Sequence, residues 1–99
     1  MEKSRGQLEN RRTLVTLLDD WLRRRIATAT FIDQYWRLRS RILETAPETY
    51  SGRFGELLTK VEGAISFYAE EPEDPNEINE AELRVEGMKV YEELPDAMD

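Results

Sequence analysis

The chain has 99 residues, no cysteine, no histidine and a formal net charge of −7. That length makes one domain with a single modest core. The missing residue types exclude disulfides, zinc–thiolate sites and every nucleophile that relies on a histidine base. A carboxylate-only enzyme would need a deep pocket to push two carboxyl pKa values apart, and a small helical chain has little volume for one. Composition therefore points away from catalysis, and no cofactor is expected.

Charge is unevenly placed. Residues 1–50 carry ten Lys/Arg and seven Asp/Glu, whereas residues 51–99 carry four and fourteen. Most of the excess lies in Glu70, Glu71, Glu73, Asp74, Glu77, Glu80, Glu82 and Glu86, opposed nearby only by Arg84. Eight carboxylates so close together raise a potential of several kT, which repels nucleic acid and anionic membranes and attracts a basic protein surface or a cation. The first twelve residues are polar, unlike a signal peptide. No stretch approaches the roughly 20 apolar residues that span a bilayer. A cytoplasmic protein is expected.

Four segments carry the 3–4 apolar spacing of amphipathic helices. In the first, over 8–24, Leu14, Val15, Leu17, Leu18, Trp21 and Leu22 form the stripe, with Asp19 and Asp20 opposite. Its last turn holds Arg23, Arg24 and Arg25, which suit the negative end of a helix dipole. The second, over 28–44, has Thr28 as its expected N-cap. It turns Phe31, Tyr35, Leu38 and Ile42 inward, flanked by Ile32, Trp36 and Leu43. Thr45 to Gly52 reads as a turn.

The third, over 53–69, presents Phe54, Leu57, Leu58, Val61, Ile65 and Tyr68. Gly55 and Gly63 inside it cost about 1 kcal/mol each relative to Ala unless a neighbouring backbone packs close. Pro72 and Pro75 keep 70–78 out of helix. Helix resumes over 79–94, where Asn79 and Glu82 have capping-box spacing. Leu83, Val85, Met88, Val90, Tyr91 and Leu94 are its expected buried positions. Four helices on short connections predict an all-α, antiparallel four-helix bundle.

A solvated exterior with some helix-dipole support accounts for part of the charge, and other uses compete for the rest. Glu80 and Glu82 favour the first turn of a helix, which leaves Glu70, Glu71, Glu73, Asp74 and Glu77 unexplained. A calcium loop needs alternating oxygen ligands, a turn glycine and a closing Glu. Counting from Asp74, Ile78 falls at the fifth position and Asn79 at the sixth, so no metal site is expected. Arg23, Arg24, Arg25, Arg37, Arg39 and Arg41 lie near Trp21, Tyr35 and Trp36, as in single-strand binders. The overall acidity argues against nucleic acid, and pairing with carboxylates across the bundle accounts for these arginines. Tyr68, beside the acidic loop, has an amphipathic ring suited to anchoring an interface.

The segments WLRRRIATATFIDQYW (Trp21–Trp36) and ISFYAEEPEDPNEINEAELRVEGMKVYEEL (Ile65–Leu94) resemble the colicin D-type bacterial immunity proteins. The first matches their helix-turn-helix opening. The second matches their run from an aromatic-ended helix through an acidic, Pro-containing loop to a final helix. The resemblance implies a four-helix bundle that inhibits a tRNA-cleaving toxin by placing acidic side chains in its basic active-site groove. Carried onto this chain, the matching positions are Glu70, Glu71, Glu73, Asp74 and Glu77, and the docking surface is expected to include Tyr68 and Glu80. The implied partner is a basic nuclease toxin domain, bound by a chain that is monomeric when free. The alternative is a helical adaptor or regulatory protein whose acidic loop docks a basic partner without inhibiting it.

Overall fold

Apolar residues at helical spacing become helices in a computed structural model that describes residues 2–98. The helices are α1 (Glu2–Leu22), α2 (Thr28–Thr45), α3 (Gly52–Phe67) and α4 (Glu80–Glu93). Short 3-10 turns follow α2 at Pro47–Tyr50 and α4 at Leu94–Ala97. Among the described residues no strand forms, and the only extended pairing is a parallel bridge between Tyr68 and Ile78. The protein is an all-α four-helix fold. No described helix is long and apolar enough to cross a membrane.

One core joins all four helices. Leu14, Leu18 and Trp21 of α1 meet Phe31, Tyr35 and Ile42 of α2, Phe54, Leu57, Leu58, Val61 and Ile65 of α3, and Leu83 and Val90 of α4. Trp21 stacks on Phe31 with centroids 4.2 Å apart, and Tyr35 meets Phe31 and Trp36 at tilted and edge-on angles. Asp19, expected on the solvent face of α1, instead accepts a 2.7 Å hydrogen bond from the Tyr91 hydroxyl of α4.

Helix ends differ from the sequence reading for identifiable reasons. α1 starts earlier than Leu8, and its polar turns hold it: Gln7 Nε2 donates to Glu48 O, and Asn10 Nδ2 to Thr49 Oγ1. Arg11 is buried and donates to the carbonyls of Thr49, Met98 and Ser51, each at 3.0 Å. Such contacts carry no apolar period. α1 ends at Leu22, so the three arginines lie past its last turn rather than in it. Arg24 takes a left-handed conformation (φ 63°). The Arg25 N–H then reaches Asp20 O and the Arg24 N–H reaches Trp21 O, a Schellman closure usually built on glycine.

Thr28 is not an N-cap. Ala27 holds that position without a side-chain bond, and Thr28 turns inward. At α4 the expected capping box is present, with Asn79 Oδ1 accepting from Glu82 N and Glu82 Oε1 from Asn79 N, both at 2.9 Å.

Two of the positions expected to be buried on α4 are not. Val85 is 54% exposed and Met88 42%. The inward positions are Leu83, Gly87, Val90 and Leu94, because a Cβ at Gly87 would lie 2.5 Å from the Trp21 ring. A pattern of apolar side chains cannot register a buried position filled by a neighbour's indole. Gly55 has the close approach that justifies it, since a Cβ there would collide with the Tyr50 carbonyl.

Leu57 and Leu83 are fully enclosed, so Leu57→Ala or Leu83→Ala should destabilise by about 2–5 kcal/mol. Val85→Ala should change stability by under about 0.5 kcal/mol, as surface substitutions do. Urea denaturation followed by circular dichroism measures both.

Candidate functional site

The acidic run becomes a closed loop between α3 and α4. Backbone bonds seal its neck: Ile78 N donates to Phe67 O at 2.8 Å and Ala69 N to Ile78 O at 3.0 Å. These bonds divert Tyr68 and Ala69 from helix, so α3 stops at Phe67 rather than continuing to residue 69. The partly buried Ile78 and Tyr68 side chains pack on the core just inside the neck.

The loop interior is ordered by its own carboxylates. One oxygen of Glu77 accepts the backbone N–H of Glu73 at 2.8 Å and of Asp74 at 3.1 Å. Asp74 Oδ1 accepts Asn76 N at 2.9 Å, and Asp74 O accepts Glu77 N, forming an Asx-type turn. Pro72 and Pro75 restrict the backbone further.

The expected site residues therefore separate into two groups. Glu70, Glu71 and Glu73 are exposed, and among the described residues their side chains make no hydrogen bond or ion pair. Asp74 is also exposed but engaged in the turn, and Glu77 is half-buried and engaged with two amides. Glu80 points away from the loop into a joint between helices. Its carboxylate accepts from Thr28 Oγ1 at 2.7 Å and from Arg84 Nη2 at 2.9 Å. Thr28 in turn accepts from the Trp21 indole N–H at 2.9 Å. Arg84 also donates to Trp21 O and lies over the Trp21 ring, 5.2 Å from its centroid.

Electrostatics follow this geometry. The hydrogen bond from Thr28, then that from Arg84, holds the Glu80 carboxyl below its ordinary value. The half-buried Tyr68 hydroxyl is pushed up, first by desolvation and then by Glu70 and Glu80. Tyr68 thus remains a neutral donor at the edge of the negative loop.

Among the described residues no three acidic side chains converge as a metal ion would require. Several arginines of the first half are drawn into pairs. Arg23 and Arg25 bind Asp19 and Asp20, Arg37 binds Asp33, and Arg39 binds Glu62 at 2.9 Å.

Sequence reasoning missed the apolar neighbours of the loop. Phe67 is 54% exposed, and with Val85 it borders a groove between α3 and α4. The available signal was that Phe67 falls outside the stripe running from Phe54 to Tyr68. No protein-family model, no curated protein and no solved structure matches this chain.

Glu77→Ala should accelerate hydrogen exchange at the Glu73 and Asp74 amides by about tenfold or more, since bonds to a charged acceptor contribute about 1.5–3 kcal/mol. The melting temperature should barely move. Glu80 gives a pH signature. Its folded pKa is depressed, so its stabilisation is present above the ordinary glutamate range and is lost as pH falls through the folded value. Acid titrations of wild type and Glu80→Gln should converge once that carboxyl is protonated.

Proposed function

We propose that this chain is an immunity protein that inhibits a basic ribonuclease toxin by seating its acidic loop in the toxin's RNA-binding groove. The observation that carries this reading is the pairing of order and unspent charge in one loop. Its neck and interior are hydrogen-bonded, while Glu70, Glu71 and Glu73 face solvent without a cationic partner.

A groove that holds RNA phosphates presents Lys and Arg, and a row of carboxylates offers those cations a substitute. An acidic tail would lose conformational freedom on docking, whereas a loop already held in shape loses little. The charge also accelerates encounter and makes it depend on salt. Asp74 and Glu77 shape the loop, Glu80 anchors the helix that follows it, and Tyr68 supplies an amphipathic ring at its edge. The likeness of Trp21–Trp36 and Ile65–Leu94 to colicin D-type immunity proteins supports the same reading.

The test pairs this protein with the tRNA-cleaving nuclease domain of a colicin D-type toxin, taken from the neighbourhood of its own gene where one is encoded there. Wild type should block tRNA cleavage and restore growth of cells expressing that domain. Glu70→Gln, Glu71→Gln and Glu73→Gln together should weaken inhibition at least tenfold, and a carboxylate facing a buried toxin cation should account for about 2–5 kcal/mol. Neutralising Glu9, Glu44 and Glu56 removes the same charge elsewhere and should change little. Binding without any block of cleavage would make the protein an adaptor instead.

A further inference from the structure

Beside the acidic loop, α3 and α4 part to leave a groove of about 550 Å³. Phe67, Val85, Ile78 and Ala64 form its apolar lining. Gly63 also lines it, and a Cβ there would meet nothing within 4 Å. That glycine is unlike Gly55 and Gly87, whose absent side chains are explained by the Tyr50 carbonyl and the Trp21 ring, and like Gly6 of α1, where a Cβ also meets nothing within 4 Å. A glycine inside a helix costs about 1 kcal/mol relative to alanine, and no packing within this fold accounts for it. Gly63 places no side chain on that part of the groove wall.

We propose that this groove receives an apolar side chain flanked by Lys or Arg on a basic protein partner. The charge around it selects that chemistry. Glu82 and Glu86 line the groove with Lys60, and Glu86 is paired with Lys89 at 3.3 Å, so the unpaired negative charge beside the groove is that of Glu70, Glu71 and Glu73 on the adjoining loop. A second copy of this chain would bring its own charge of −7 to the same place, so self-association is disfavoured. The inference rests on reading the loop as a docking surface and adds the pocket that would anchor the partner. Interfaces concentrate their binding energy in such buried anchors, while exposed charges set the encounter rate.

Two peptides of equal charge, acetyl-Arg-Phe-Arg-amide and acetyl-Arg-Ala-Arg-amide, test this by NMR titration of the full chain. The Phe peptide should shift the Gly63, Phe67 and Val85 amides and bind about tenfold more tightly, as expected for burying one large apolar side chain. Gly63→Leu should abolish those shifts while melting no lower than wild type, because the added side chain enters open space. Equal binding of the two peptides, shifts confined to residues 70–77, or unchanged binding to Gly63→Leu would each overturn the proposal. So would concentration-dependent dimerisation through the same amides. A parallel toxin assay separates the two readings. Inhibition by wild type and Gly63→Leu alike would overturn the groove and leave the loop's role intact. Groove binding of the Phe peptide by a chain that inhibits no toxin would support the groove and remove the toxin.

Discussion

Three helices depend on the cluster formed by Trp21, Thr28, Glu80 and Arg84. The Thr28 hydroxyl donates to Glu80 and accepts from the Trp21 indole, while Arg84 reaches Glu80 and the carbonyl at the end of α1. Each polar group that folding removes from water here is paired, which keeps burial from becoming a penalty. The cluster fixes where α4 begins relative to α1 and α2. That position sets the far end of the acidic loop and one wall of the groove beside it.

A second cluster holds the other side. Glu62 accepts from the Tyr35 hydroxyl at 2.6 Å and from Arg39 at 2.9 Å, and Tyr50 lies within 3.3 Å of Tyr35. Burial, foremost, raises the Tyr35 hydroxyl far above the usual tyrosine range, with Tyr50 and Glu62 adding to the effect. It therefore stays a neutral donor. Arg39 here and Arg11 under the loop after α2 tie two side chains of the basic half to other elements of the fold. The surplus of negative charge is left to the exterior of the second half.

That division gives the loop its character. Carboxylates crowded in sequence repel one another, and a disordered segment would relieve the repulsion by spreading out. Here the backbone bridge at Tyr68 and Ile78 and the amide contacts of Glu77 oppose the spreading. Some of the acidic residues thereby order the others.

The sequence by itself determined the helical class, the four segments, most of the core and the capping box at Asn79. Each of these depends on local spacing and residue type, which are legible along one chain. It also located the acidic run and its prolines. Only the folded structure decided that Glu77 and Glu80 are engaged while Glu70, Glu71 and Glu73 are not: Glu77 folds back on the Glu73 and Asp74 amides, and Glu80 meets Thr28 of α2 as well as Arg84 of its own helix. It alone turned Thr28 inward and moved Val85 and Met88 to the surface, because Trp21 fills the space that Gly87 leaves. Periodicity reports which face of a helix is apolar. Which neighbour occupies that face, and where a gap remains as at Gly63, depends on side chains far apart in the chain meeting in three dimensions.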